Sequence, residues 1–351
     1  MNWKSKLTAA VMLLAATSAC AAAKETSAEG CPVPFRPAWW CRGANQQTIV
    51  AGLLRPVAAL RLQRQRWDTP DGDFIDLDWL TGAPGTPILI VLHGLEGSAH
   101  SRYVLSLLAA AKREGWRGIG VNFRSCSGEP NRLRRSYHGG ETSDIAWIVQ
   151  RVIAENPNSP IFLAGASLGG NVLLKYLGEQ GEALPASVRA AVAVSTPFDL
   201  ALCGHTLERG FARTYMRGIV RSSKAKAWAK LRMYPDFVDK RKLEAVRTLT
   251  QLDDLVTGPV HGFRDAEDYW SRSSSIHFLA GIRRPTLLIN AKDDPFFPGK
   301  FLPAAEVSAN RFLTAEFTEH GGHVGFLTGA WPGRPRSWME GRAIRFLKEH
   351  K

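Results

Sequence analysis

The sequence predicts an α/β fold, with a mostly parallel sheet, helices on both faces and a helical cap inserted above the carboxyl ends of the strands. Three observations carry that expectation. From residue 87 onward, short runs rich in Val, Ile and Leu alternate with longer segments of helical spacing. One stretch, 198–280, breaks this rhythm and reads as largely helical. The 351 residues are 45% hydrophobic and 22% charged, an ordinary composition for one large domain or two modest ones. No internal apolar run reaches the ~18–20 residues of a membrane-spanning helix, and no repeat of ~20–50 residues marks a solenoid or propeller.

The chain opens MNWKSKLTAAVMLLAATSACAAAKE. Two lysines precede an apolar run from Leu7 to Ala16, and small residues follow. This is the layout of a secretory signal peptide over residues 1–23, with cleavage near Ala21 to Ala23. Export to the periplasm is the expectation, and Cys20 offers a lipid anchor as a second reading. A leader that is not a working signal would leave the protein cytoplasmic. In an exported chain Cys31 and Cys41 would close a short disulfide loop, whereas Cys126 and Cys203 read as small buried residues. Residues 24–63 read as an N-terminal extension packed on a main domain of residues 64–351. That domain starts with RQRWDTPDGDFIDLDWL (64–80), whose alternation around Pro70-Asp71-Gly72 is a hairpin signal.

The strand and helix pairs follow in order. PILIVLHG (87–94) leads into SRYVLSLLAAAKREG, RGIGVNFR (117–124) into SDIAWIVQRVIAEN, and PIFLAGAS (160–167) into GGNVLLKYLGEQG. RAAVAVSTP (189–197) precedes the insertion, and RPTLLINAKDD (284–294), TAEFTEHGG (314–322) and the helix SWMEGRAIRFLKEH complete the set. An insertion at 198–280 would sit where α/β proteins bind ligands. Of the formal net charge of +13, residues 205–250 hold +8, with 12 Lys/Arg against four acids. The plain reading is a solvated helical face. Such a block can also serve nucleic acid, an anionic membrane surface or an acidic substrate; no nucleic-acid motif accompanies it, and peripheral contact of the basic cap with an anionic membrane is the partner expectation.

Chemistry concentrates at Gly165-Ala166-Ser167-Leu168-Gly169. A Gly-x-Ser-x-Gly run at a strand-to-helix junction is the context of a nucleophile elbow, in which the two glycines make room for a tight turn that lifts the serine hydroxyl above the sheet. A serine needs a base. Downstream, NAKDDPFFP and TEHGGHVGF each end a strand, so Asp and His follow Ser in the α/β-hydrolase order. Adjacent extended residues point opposite ways, so only one of Asp293 and Asp294 can face the histidine. Asp294 is favoured because Asp-Pro-Phe-Phe-Pro begins the next turn, and His323 is favoured over His320. His138 precedes the serine and is a weak rival base. The oxyanion donors expected are the backbone N–H groups of Leu168 and, in HGLEGS, of Leu95. His93 reads either as a brace for that loop or as a satisfied buried histidine. Within 122–144, Arg124, Asn131, His138 and Asp144 fit either a pocket lining or a shaped turn. No metal or cofactor is called for.

HGLEGSAHSRY, NFRSCSGEPNRLRRSYHGGETSD, GASLGGNVLLKYLGE, QLDDLVTGPVHGFRDAEDYW, NAKDDPFFP and TEHGGHVGF together resemble the bacterial YheT-like hydrolases. These are relatives of the eukaryotic α/β-hydrolase-domain lipases and esterases. The resemblance covers roughly residues 35–350. It implies an α/β-hydrolase fold with Ser167, Asp294 and His323 as the triad. It also implies hydrolysis of short- to medium-chain acyl esters or monoacylglycerol-like lipids. The expected activity is a serine carboxylesterase. The same triad would serve an acyltransferase, and the same fold a non-catalytic lipid-binding protein. Dehalogenases and epoxide hydrolases are disfavoured because they carry Asp where Ser167 stands.

Overall fold

Eight strands form one sheet in the order β1-β2-β4-β3-β5-β6-β7-β8. They are β1 (Gln63–Asp68), β2 (Phe74–Leu80), β3 (Ile88–Leu92), β4 (Arg117–Val121), β5 (Ile161–Ala166), β6 (Val188–Val194), β7 (Thr286–Ala291) and β8 (Leu313–Thr318). The structure, a computed structural model, describes residues 34–351 except 58 and 333. The expected leader, the lipid site at Cys20 and the Cys31 half of the expected disulfide lie outside the described residues. Cys41, Cys126 and Cys203 are all buried.

β1 and β2 are antiparallel and β2 runs antiparallel to β4, while the six strands from β4 to β8 are parallel. The chemistry of the sequence explains the difference. β1 is an edge with an exposed face, and its Arg64 and Arg66 reach across to Asp78 and Asp76 of β2 at 2.9 and 2.8 Å. Charge on an edge discourages pairing with another chain. The parallel strands β3, β5 and β7 are buried at every position, as a sheet covered on both faces requires. Alternate residues divide the core. Ile88, Ile90 and Leu92 meet α3 (Ser143–Glu155) and α4 (Leu168–Gln180), whereas Leu89 and Val91 meet α2 (Arg102–Arg113) and the C-terminal helix (Met339–Glu349).

The insertion lies between β6 and β7. Its helices are α5 (Leu200–Leu207), α6 (Arg213–Met233), α7 (Lys240–Ala245), α8 (Leu249–Leu252), α9 (Gly258–Val260) and α10 (Ala266–Ser273). Side chains of Asp199, Asp239, Thr248 and Asp265 accept backbone N–H groups at the starts of α5, α7, α8 and α10, satisfying donors a helix leaves free. α6 buries Met216, Val220, Ala227 and Lys230, a helical stripe against the domain. The basic block is therefore not uniformly a solvated face. Lys230 is 3% exposed and donates to the carbonyls of Asn131, at 2.6 Å, and Leu133.

The N-terminal extension contributes α1 (Ala44–Leu54), which packs on the loop after β8. Gln47 donates to the carbonyls of Cys41 and Leu327 and accepts from the Leu327 N–H. Buried Arg55 ties the Val324 and Gly325 carbonyls to Glu340 of the C-terminal helix.

Candidate active site

Ser167 sits between β5 and α4 with φ 54° and ψ −126°. This region costs a residue with a Cβ about 1–3 kcal/mol, and surrounding bonds must enforce it. The Ser167 N–H donates to Val194 O at 2.8 Å, and its carbonyl accepts from the N–H groups of Gly170 and Asn171. The backbone is packed tightly. A Cβ on Gly165 would lie 2.4 Å from Gly169 O, and one on Gly169 would lie 2.5 Å from His93 O. The sequence reading missed Gly94, where a Cβ would lie 2.8 Å from the Ser167 Cβ.

Ser167 converges with His323 and Asp294, both more than a hundred residues further along the chain. Ser167 Oγ is 2.9 Å from His323 Nε2, and His323 Nδ1 is 2.8 Å from Asp294 Oδ2. An ionised carboxylate only accepts, so Nδ1 carries the proton and Nε2 accepts the serine hydroxyl. Asp294 is 3% exposed, and its other oxygen accepts the Phe296 N–H at 2.8 Å. Asp293 turns the other way, to the Gly322 N–H at 2.9 Å and His320 at 3.3 Å, and burial raises its pKa. His138 makes no bond to Ser167; it accepts the Gly140 N–H and packs on His261 at 4.6 Å. Burial, then neighbouring His261, lowers its pKa to about 3, so it stays neutral.

The N–H groups of Leu95 and Leu168 make no hydrogen bond to another described residue. Those flanking Leu95 are occupied, Gly94 N–H by the Tyr103 hydroxyl at 2.7 Å and Glu96 N–H by the Tyr137 hydroxyl at 2.8 Å. The two unoccupied donors line the same cavity as Ser167 and His323. Beneath the loop, His93 Nε2 accepts the Phe123 N–H at 3.1 Å, which leaves Nδ1–H to donate to Gly94 O at 2.7 Å. Burial lowers the His93 pKa to about 3 and fixes this neutral form. His93 is thus both readings at once, a satisfied buried histidine that braces the loop.

The family model described as alpha/beta hydrolase fold matches residues 87–330. The chain belongs to the alpha/beta hydrolase family. Among its relatives within that family, YheT of Escherichia coli (strain K12), named as a candidate esterase, is 41% identical over 89% of this chain and 92% of its own. Phospholipase ABHD3 of Homo sapiens is 27% identical over 88% of this chain and 78% of its own. The monoacylglycerol lipase of Saccharomyces cerevisiae is 30% identical over 82% and 63%. The Pyrococcus furiosus esterase Pf2001 shares the fold, with a TM-score of 0.56 at 16% identity over 84% of this chain and 96% of that one. Among α/β hydrolases, this one is esterase- or lipase-like.

In this α/β hydrolase the cavity above Ser167 has a volume of about 950 Å³. One wall, beside Leu168, is apolar, with Leu200, Leu207, Leu252 and Trp270 from the insertion. Another carries Glu96 and Lys226. Arg124, Asn131 and Asp144 are structural. Arg124 clasps Asp144 with two bonds of 2.7 Å and pairs with Asp71 and Asp73, while Asn131 donates to Asp73 at 2.9 Å. They pin the 122–144 loop to the β1–β2 turn. Sequence reasoning also missed Phe296, whose ring stacks on His323 at 4.0 Å and 5°, and Thr48 of α1, whose hydroxyl accepts the His323 N–H at 2.9 Å. Phe296 lies in the quoted Asp-Pro-Phe-Phe-Pro run; Thr48 carries no local signal.

Proposed function

We propose that this protein hydrolyses carboxylic esters of short- to medium-chain acyl groups or monoacylglycerol-like lipids through an acyl-enzyme on Ser167. The observation that carries the reading is the continuous Ser167–His323–Asp294 hydrogen-bond chain opening on a cavity beside two unoccupied N–H donors. In the first half-reaction His323 takes the Ser167 proton as Oγ attacks the ester carbonyl. Leu95 and Leu168 N–H groups receive the oxygen as it becomes negative. The tetrahedral adduct collapses, His323 hands its proton to the leaving alcohol, and the acyl group stays on Oγ. In the second half-reaction water, deprotonated by His323, attacks that acyl ester and releases the acid and free serine. Asp294 keeps the imidazole in the accepting tautomer throughout.

The relatives named as a monoacylglycerol lipase and a phospholipase support a lipid-like ester, and the apolar wall beside Leu168 is a fitting place for an acyl chain. A fluorophosphonate probe, which captures an activated serine, is expected to label the wild type and leave Ser167→Ala unlabelled. p-Nitrophenyl esters of increasing chain length report the acyl preference in parallel. Labelling or turnover that survives Ser167→Ala would end the proposal.

A further inference from the structure

Some residues lining the cavity also reach the surface. Gly52 of α1 and Thr214 and Gly218 of α6 are both lining and exposed, so the cavity opens between these two helices. The Tyr215 hydroxyl donates to Asn45 Oδ1 at 2.9 Å and joins the helices beside the opening. α1 has no charged residue along its eleven positions. Its Ile49 and Leu53, one turn apart, are 37% and 50% exposed. Across the opening Phe211, whose ring packs on Tyr215 at 5.8 Å, is 55% exposed.

Charge lies along the α6 side of the same rim. Arg213, Arg217 and Arg221 recur every fourth residue along α6, Arg209 lies just before it, and all four are exposed. None of the four side chains makes an ion pair or hydrogen bond with another described residue. By contrast, Arg55, Arg64, Arg66, Arg124 and Arg132 each hold a carboxylate. A row of unpaired guanidiniums calls for an external anion, and planar guanidinium suits phosphate oxygens. A nucleic acid would supply phosphates but leave Ile49, Leu53 and Phe211 in water. A bilayer surface supplies phosphate and hydrocarbon side by side, at the depth where amphipathic helices lie. No helix among the described residues is long and apolar enough to cross a membrane.

We propose that the α1–α6 rim docks on an anionic phospholipid surface, with Ile49, Leu53 and Phe211 in the headgroup–acyl boundary and the four arginines on lipid phosphates. The docked opening receives an ester from the lipid without passing it through water. What passes through rests on the ester-hydrolase reading; the docking does not.

Cosedimentation with sucrose-loaded vesicles measures binding without turnover. The full chain is expected to bind phosphatidylcholine vesicles containing phosphatidylglycerol far better than phosphatidylcholine alone. That binding should weaken steeply between about 0.1 M and 1 M salt, as the Debye length shrinks from about 10 to 3 Å. Each Arg→Gln change among Arg209, Arg213, Arg217 and Arg221 should weaken partitioning roughly fivefold, and the quadruple variant by roughly two to three powers of ten. Ile49→Ser with Leu53→Ser should weaken it at every salt concentration. Hydrolysis of dissolved p-nitrophenyl acetate should stay unchanged in these variants, which also reports that they fold. Salt-independent binding, or binding that survives both sets of substitutions, overturns the proposal. So does capture by duplex DNA with no vesicle binding. Vesicle binding without ester turnover would sink the hydrolase reading and sustain the docking; turnover of dissolved ester without vesicle binding would do the reverse.

Discussion

His323 is fixed by contacts of different kinds, and they separate by substitution. Asp294 sets its tautomer, Thr48 holds its backbone N–H, and Phe296 stacks on its ring. An amide in place of the carboxylate can donate to Nδ1, which moves the imidazole proton to Nε2 and removes the acceptor for the Ser167 hydroxyl. Asp294→Asn is therefore expected to lower kcat on a soluble ester by roughly 10⁴-fold. Phe296→Leu loses only the ring contact and should cost about tenfold or less. Asp293→Asn, whose carboxylate serves Gly322 and His320, should stay within a few-fold of wild type. Equal losses for the two aspartate variants would overturn the assignment of the triad acid. The choice between neighbouring aspartates was legible because Asp-Pro-Phe-Phe-Pro marks where the chain turns: the strand ends at Ala291, and the Asp294 N–H bonds back to Ala291 O at 3.2 Å. Phe296 was not, because nothing in a sequence distinguishes an aromatic that stacks on a histidine from one that fills a core.

At the scale of elements, three segments meet on one side chain. Glu96 follows Leu95 in the β3 loop and is held at a φ of 58°. Its carboxylate accepts from the Tyr137 hydroxyl of the β4 loop at 3.0 Å, from Lys226 Nζ of α6 at 3.0 Å, and from the Ser222 hydroxyl of α6. The insertion is thereby fastened to the loop that presents the Leu95 N–H. Weakening this clamp should loosen the oxyanion donor while leaving the apolar wall beside Leu168 in place. Glu96→Gln and Lys226→Met are each expected to lower kcat on the order of tenfold to a hundredfold with little change in KM. The double variant should lose less than the product of the two, since both break one link. A rise in KM alone, or fully independent effects, would refute the coupling. This link was not legible from composition. The basic block marked α6 as charged, but Lys226 and Arg221 look alike in sequence, although one is turned into the cavity and the other is exposed.

Across the whole molecule, the parallel strands were readable because strands buried on both faces must be continuous apolar runs, and the elbow because its glycines and junction are local. The bracing of the histidine loop by α1 was not, since Gln47 and Arg55 meet partners about 270–290 residues away and no local pattern encodes so distant a contact. The insertion hides a further feature, the acid Asp253 in the wide turn after α8. Its carboxylate accepts from Trp270 Nε1 at 2.9 Å and the Thr257 hydroxyl at 2.6 Å, and it faces the cavity. Burial raises its pKa from the usual 3.8 to about 6, helped by nearby Asp254 and Glu208 and opposed by those two hydrogen bonds. The folded state therefore binds more protons than the unfolded chain between about pH 4 and 6, so this group's contribution to stability falls as pH rises through that window. Its full penalty, up to about 3 kcal/mol, is present above pH 6. Asp253→Asn removes the charge but loses one acceptor, a cost that does not vary with pH. Half-buried His138, held neutral at low pH, adds a pH dependence of the opposite sign, but it is common to both proteins and cancels in their difference. Denaturant midpoints from pH 4 to 7 should therefore show the variant gaining on wild type by up to about 3 kcal/mol as pH rises, with most of the gain between pH 4 and 6. A difference that stays constant over that range would show that Asp253 keeps its charge in the fold.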